Sequence, residues 1–330
     1  MLLSWQIVTF QLKETFSISY GNYSSREALI VSLSYKGVEG YGECTAIDYY
    51  GIKLPDFVNL LSSSKTLIEA QKIIYPTEFY QFILRLNFPS FLVSALDCAY
   101  WDLYGKLEGK NFIELNKIPI KNIPESSLTI SAGPIETQLN KIKTSGWSKF
   151  KIKCKSFDEI AIQKLTELDK TIALDFNGSF TSKDCELLQN TPWVQKISYL
   201  EQPMPTNQFQ ILERDKFANW MADEDCQSIE NLRSLQPHYQ SINVKLVKCG
   251  GLTPALSLIE KAKALNFKIM IGCMTESTIG ISAGAVLAPL ADYTDLDGAN
   301  LIANDIAKGS KIYYGNIQLS EKPGLGISVF

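Results

Sequence analysis

The chain has 330 residues, 45% apolar and 20% charged, which suits one large α/β barrel or two modest domains and excludes a disordered, collagenous or coiled-coil chain. Thirty-two Lys and Arg against 35 Asp and Glu leave a net charge of −3, so no basic field attracts nucleic acid or an anionic membrane surface. One histidine, His238, and seven scattered cysteines without a Cys-x-x-Cys pair argue against a multi-histidine zinc site and a disulfide framework. Acid–base chemistry then falls to Lys, Asp or Glu, and the unpaired thiols point to a cytoplasmic protein. The N-terminus lacks the features of a signal peptide, and no run of apolar residues is long enough to span a membrane.

In chain order, Ser4–Leu12 and Ala28–Tyr35 alternate apolar and polar residues as strands do, and Val38–Cys44 follows a Lys36-Gly37 turn. Residues 49–65 read as a loop, with Gly51, Pro55 and a Ser62–Ser64 run. Helical patterns cover Thr66–Ile74, Thr77–Leu86 after Pro76, and Ser90–Leu107 after Pro89, closed by Gly109. Together these predict an α+β domain over residues 1–115.

From Leu128 the texture changes to short apolar strands alternating with helical stretches. Eight strands are expected, at 128–131, 150–153, 172–176, 197–201, 220–224, 242–247, 268–274 and 294–297. Regular βα units of this kind imply a parallel sheet, and a barrel is expected over residues 120–310. His238 falls in a connection between a helix and a strand, where a structural role is expected.

Charged residues end five successive strands. Lys153 to Asp175 is 22 residues, Asp175 to Glu201 is 26, Glu201 to Asp223 is 22 and Asp223 to Lys245 is 22. Strand C-termini of a β/α barrel converge on one face, where catalytic groups from several strands meet. Charges at the ends of buried apolar strands are costly unless paired or metal-bound. Asp175, Glu201 and Asp223 supply hard oxygen ligands suited to Mg²⁺, with coordination positions left for a substrate carboxylate. Asn177, two residues past Asp175, supports the same face.

Lys151 and Lys153 share one side of their strand at i and i+2. Each disfavours protonation of the other, so a lysine pKa is expected to fall towards that of a general base. Lys245 flanks the carboxylates from the other side. This layout moves a proton at a carbon α to a carboxylate: one lysine removes it, the metal steadies the enediolate, and the other lysine returns a proton on the opposite face.

The motifs Lys151-Ile152-Lys153, Leu174-Asp175-Phe176-Asn177, Glu201-Gln202-Pro203, Ala222-Asp223-Glu224 and Asn243-Val244-Lys245 resemble, in order and spacing, those of the muconate-lactonizing-enzyme subgroup of the enolase superfamily. The resemblance runs from Val38–Glu43 to Lys322–Gly326. It implies a modified (β/α)7β TIM-type barrel with an N-terminal α+β capping domain, to which the C-terminal tail, residues 311–330, returns. It implies one Mg²⁺ per active site on Asp175, Glu201 and Asp223, with Lys153 as base, Lys151 tuning it and Lys245 as second base.

Among the subgroup's activities, Asp295 and Asp297 resemble the Asp-x-Asp pair with which dipeptide epimerases hold the substrate's α-ammonium group. A dipeptide epimerase is therefore expected, with a small-molecule substrate, no nucleic-acid or membrane partner, and a homo-oligomer as an open alternative. The alternatives are an o-succinylbenzoate synthase or N-acylamino acid racemase, whose substrates offer no ammonium group, and, more remotely, a non-catalytic peptide-binding barrel. Thr129 and Met274, the latter in a segment like the family's substrate-lining one, are expected beside the substrate. Two cap loops, Ser17–Arg26 and Thr45–Lys53, are expected to close the site. Gly21 falls where a basic residue would meet the side chain of an Ala-Glu substrate, while Arg26 is expected to lead into the strand. Lys248 competes with Lys245 for the second-base role, and Glu224 and Asp225 are candidates to brace the lysines or the metal.

Overall fold

The computed structural model describes residues 1–18 and 20–330. Strands β1 (Leu2–Ile18), β2 (Gly21–Tyr35) and β3 (Val38–Thr45) form an antiparallel sheet. It shares a core with helices α1 (Leu54–Glu69), α2 (Pro76–Leu84) and α3 (Ser90–Glu108), and the short α4 (Phe112–Leu115) follows. The Val38–Glu43 segment is explained by closeness. A Cβ on Gly40 or Gly42 would overlap the backbone of Ala95, Ala99 and Leu103, so only glycine lets β3 lie directly on α3.

Two expectations fail in this half. Most of the expected loop 49–65 is helix, which begins at Leu54: Leu54, Phe57, Leu61 and Ile68 form a buried stripe, and Pro55 sits in the first turn, where its missing N–H costs nothing. Ser62 and Ser63 donate back to the carbonyls of Val58 and Leu60 instead of breaking the helix. The helix ends at Glu69, so the predicted helix Thr66–Ile74 is only its last turn. The second failure is the Ser17–Arg26 loop, where β1 and β2 run on as a long hairpin to Ile18 and Gly21. Ser19, in that stretch, lies outside the described residues.

All eight predicted barrel strands are found. They are β4 (Leu128–Ile130), β5 (Lys149–Lys153), β6 (Thr171–Asp175), β7 (Leu200–Glu201), β8 (Trp220–Ala222), β9 (Ser241–Val244), β10 (Lys268–Gly272) and β11 (Tyr293–Asp295). Each lies parallel to its successor in one sheet, and a bridge between Ser126 and Thr294 brings the two ends together. The connections carry α5 (Ile135–Thr144), α6 (Glu159–Thr166), α7 (Ser182–Gln189), α8 (Leu232–Leu235), α9 (Leu246–Cys249), α10 (Leu252–Ala264) and α11 (Thr278–Ala285). Between β7 and β8 the described connection holds only a 3₁₀ turn, Phe209–Ile211.

The barrel strands explain the site through their two-residue period. Outward-facing Ile152, Ile172, Leu174, Ile242 and Ile271 join the helices in the main core. Ala173, Tyr199, Met221 and Met270 pack together in a separate cluster with Tyr293. Two residues further along the same strands stand Asp175, Glu201, Asp223, Gly272 and Asp295, so a charged layer rests directly on an apolar plug.

The chain ends in strands β12 (Ala307–Lys308), β13 (Lys311–Tyr313), β14 (Asn316–Gln318) and β15 (Ser328–Val329). The tail touches the first half through Leu325, whose N–H donates to Asp102 of α3, and Gly324, whose carbonyl accepts from Phe112. Asp102 also accepts from Tyr41 N–H and Lys106 Nζ, which ties β3, α3 and the tail at one buried carboxylate.

Candidate active site

Strand register sets the charged layer. Lys153 pairs with Asp175, and Asp175 with Glu201, as cross-strand neighbours, while Thr129 and Lys151 pair one layer below. Asp223 follows β8 directly, and Lys245 follows β9 as the first residue before α9. All six charged groups are buried. Buried charges must find partners, and these do. Lys153 Nζ lies 2.5 Å from Asp175 Oδ2, and Lys245 Nζ lies 2.7 Å from Asp223 Oδ2. Lys151 Nζ is in close contact with Asp295 Oδ2 and 3.4 Å from both Asp175 Oδ2 and Glu201 Oε2.

Lys248 is fully committed. It donates to Asp223 Oδ1 at 2.5 Å, to the Asp223 carbonyl and to the Asn243 carbonyl at 3.0 Å. Among the described residues it does not line the cavity that Lys153 and Lys245 share.

The electrostatics reverse one expectation. Burial lowers Lys151, but Asp295, Glu201 and Asp175 outweigh it and leave it well above the ordinary lysine value. Lys245 is likewise raised, by Asp223 against burial. The expected lowering by a neighbouring lysine loses to the carboxylates, which are nearer and more numerous. Burial raises Asp175 and Asp223, yet Lys153 and Lys151 hold the first, and Lys245 and Lys248 the second, below the usual carboxylate range. Glu201 goes the other way, pushed up to about 8 by burial and Asp175. Glu224 rises to about 7 through burial and then Asp223.

The three carboxylates are turned onto lysines, and among the described residues no three His, Cys, Asp or Glu side chains enclose a single point as they stand. The donor chemistry nevertheless suits a hard divalent cation. Three acidic side chains end neighbouring strands, and Glu201 Oε2 is buried with no hydrogen bond among the described residues, only the 3.4 Å ion pair with Lys151, while Asn243 Nδ2 holds its other oxygen at 2.8 Å.

Lys151, Lys153, Lys245, Thr129, Asn177, Met274, Asp295 and Asp297 all line one cavity. Asp295 accepts from Ser127 Oγ at 2.7 Å in addition to its contact with Lys151. Asp297 accepts from Thr129 N–H at 2.6 Å and Thr129 Oγ1 at 3.3 Å. It is pushed up to about 7 by burial and by Asp295. Asn177, in the left-handed region at φ 43°, joins Lys153 to Glu224.

The hairpin and the turn after β3 supply the other wall, through Phe16, Ile18, Tyr20, Tyr23, Arg26, Ile47 and Tyr50. Gly21 does not line the cavity; the Tyr23 ring covers it. Arg26 does line it, with the guanidinium 4.1 Å over Tyr23, one N–H on the Ala46 carbonyl and Nε without a hydrogen-bond partner among the described residues. Sequence reasoning placed Arg26 in the strand correctly but missed that β2 itself walls the site. Asn243 was also missed as the partner of Glu201. Its signal was the Asn-Val-Lys motif, in which Asn243 and Lys245 share a strand face. His238 meets the carbonyl of Leu212 through Nδ1, a structural contact.

A family model of enolase C-terminal domain-like proteins matches residues 135–330. The chain belongs to the enolase superfamily. Among superfamily members, an L-Ala-D/L-amino acid epimerase of Maribacter sp. is 36% identical over 321 residues, 94% of each chain. A second L-Ala-D/L-amino acid epimerase, from Flavobacterium johnsoniae, is 36% identical over 329 residues, 97% of each chain. A dipeptide epimerase of Enterococcus faecalis, solved with Mg and the dipeptide L-Leu-L-Tyr, superposes with a TM-score of 0.84 at 25% identity, covering 99% of both chains.

Proposed function

We propose that the protein is a Mg²⁺-dependent dipeptide epimerase, an isomerase that inverts the Cα of the C-terminal residue of an L,L-dipeptide. The observation that carries this reading is that Lys153 and Lys245 face one cavity from β5 and from the end of β9, with Asp175, Glu201 and Asp223 on the strands between them. A binding protein needs no such pair of bases. The relatives' activities and the dipeptide-bound structural neighbour support the same reaction class.

Asp175, Glu201 and Asp223 would hold the magnesium, and the Glu201 oxygen that makes no hydrogen bond among the described residues supports this assignment. When bound, the ion supplies positive charge that eases loss of a proton beside the substrate carboxylate. Lys153 and Lys245 act on opposite faces of Cα, one taking the proton as the C–H bond breaks and the other delivering one to the far face. Lys151 neutralises the layer beneath them. Asp297, with Asp295, receives the substrate's α-ammonium group, and Thr129 orients Asp297 through its N–H. The cap hairpin excludes water from the cavity and walls the epimerised side chain. All seven cysteines are free, which supports a cytoplasmic setting.

The test is incubation of L,L-dipeptide pools in D₂O with Mg²⁺, read by mass spectrometry. Gain of one deuteron at the C-terminal Cα, with appearance of the L,D form, is the expected result. In Lys245→Ala only one epimer should exchange its proton, and in Lys153→Ala only the other. Folded, magnesium-loaded protein that exchanges no dipeptide would overturn the proposal.

A further inference from the structure

Lys153 is held at two points. Its Nζ donates to Asp175 Oδ2 at 2.5 Å and to Asn177 Oδ1 at 3.2 Å. An ammonium group has three N–H bonds, so the third is left for the cavity that Lys153 lines. Once that proton leaves, the two fixed N–H bonds remain and a lone pair takes the third direction. The same two anchors therefore aim both the acid and the base form at one point.

The weaker anchor is an amide, and an amide can present either end. The ammonium form of Lys153 only donates, so Asn177 turns its oxygen to it and its Nδ2 away. Nδ2 meets Glu224 Oε1 at 3.1 Å. Glu224 is 4% exposed, lines the same cavity, and its Oε2 has no hydrogen-bond partner among the described residues. A carboxylate accepts and holds the amide in this sense. The neighbouring backbone helps, because Asn177 N–H donates to Asp175 Oδ1 at 3.1 Å in the left-handed conformation at φ 43°. Lys245 has no such relay: its hydrogen bond is to Asp223 Oδ2 alone among the described residues.

From this arrangement we infer that Glu224 is a positioning residue for Lys153, acting through the Asn177 amide, and that among the described residues no hydrogen-bonded link joins it to Lys245. The inference rests on the two-base reading above. In the step it serves, the Cα–H bond breaks, its electron pair stays with carbon, and the proton goes to the Lys153 lone pair; the reverse step returns it.

The test uses single-base backgrounds. Glu224→Gln is placed in Lys245→Ala, where only Lys153 exchanges the substrate proton, and in Lys153→Ala, where only Lys245 does. Glutamine can offer its own N–H to Asn177, letting the amide turn and present Nδ2 to Lys153. Exchange in D₂O should fall about tenfold or more in the first background, since misaligned reacting groups lose rates of that order, and by a clearly smaller factor in the second, where Glu224 acts on Lys245 through its charge alone. Asn177→Leu, which breaks the link from its other end, should give the same one-sided loss. The swap Asn177→Asp with Glu224→Gln should recover most of the rate, because the new carboxylate accepts from both Lys153 and the introduced glutamine amide. Equal losses in the two backgrounds, no loss in the first, or no recovery in the swap would overturn the inference. If the parent single-base enzymes show no one-sided exchange, the two-base reading fails and this inference with it.

Discussion

Asp297→Asn should separate binding of the substrate ammonium from everything else the site does. Asp297 is 3% exposed, accepts from Thr129, and has no lysine within ion-pair distance among the described residues. Asparagine keeps the shape and one acceptor oxygen but removes the charge. A hydrogen bond to a charged partner contributes roughly 1.5–3 kcal/mol, so kcat/KM for dipeptides should fall roughly 10- to 150-fold. The reference substrate is the same dipeptide with propionyl in place of alanyl, which lacks the ammonium group. The wild-type preference for alanyl over propionyl should collapse in the variant.

Stability should move the other way. Burial and then Asp295 raise Asp297 from 3.8 to about 7. The folded state therefore keeps a proton that the unfolded state releases, and stability falls as pH rises from about 4 to about 7. That rise of about three corresponds to roughly 4 kcal/mol between the protonation states, so the variant should outlast the wild type by up to that amount at pH 8 and by much less at pH 5. Denaturant melts at both pH values, beside the two-substrate kinetics, check both arms. If the alanyl-to-propionyl ratio survives in Asp297→Asn, Asp297 does not bind the ammonium.

Arg26→Met should cut kcat/KM for L-Ala-L-Glu about tenfold or more relative to L-Ala-L-Leu, because among the described residues Arg26 is the cation in the hairpin wall of the cavity and its Nε lacks a hydrogen-bond partner. Equal loss on both substrates would show that Arg26 only packs. Glu43 accepts from Ser277 and Gly280 N–H, and burial nonetheless pushes it up from 4.5 to about 7. Its stability cost thus appears as pH rises from about 4.5 to about 7, and Glu43→Gln should flatten that slope by roughly 3 kcal/mol in thermal melts. A slope unchanged in Glu43→Gln would place the titration elsewhere. Glu201→Gln should weaken Mg²⁺ binding about tenfold or more by titration calorimetry, since it removes one anionic ligand; unchanged affinity would move the metal to other ligands.

The barrel was legible in the sequence because its signal is periodic and repeated. Apolar strands recur, five of them with a charged residue at the same height, and each of the eight overlaps its expected span, although 197–201 shortens to Leu200–Glu201 and 242–247 gives way to helix at Leu246. The first half was less so. Pro55 and three serines look like a loop, yet a proline in the first turn and serines that bond their own backbone are compatible with helix. Whether Leu54, Phe57 and Leu61 have a sheet to pack on is a tertiary fact. The site's residue types were also legible, but its pairing was not. Asn243 with Glu201, Glu224 with Asn177, and Lys248 with Asp223 join residues 42, 47 and 25 positions apart. Only the barrel's curvature decides such contacts. Arg26 was passed over because the hairpin's length, not its composition, brings β2 over the barrel mouth.

These pairings also explain why charges can crowd so densely into one barrel mouth. Lys151, Lys153, Lys245 and Lys248 contact Asp175, Glu201, Asp223 and Asp295, four lysines against four acidic side chains. Two more buried carboxyl groups at the mouth, Glu224 and Asp297, have no lysine within ion-pair distance among the described residues, and both are raised to about 7. They sit on opposite flanks, one linked by Asn177 to the Lys153 side and the other held by Thr129 at the β4 edge. An uncompensated buried carboxyl group is a standing cost to the fold. A dipeptide's ammonium group would relieve it at Asp297, so binding energy is available from the removal of that cost as well as from the new contact. An N-acylated amino acid brings no cation and would leave Asp297 as costly as before. The stability gained in Asp297→Asn should therefore match the dipeptide selectivity it loses in sign, and a variant that lost selectivity without gaining stability would break this link.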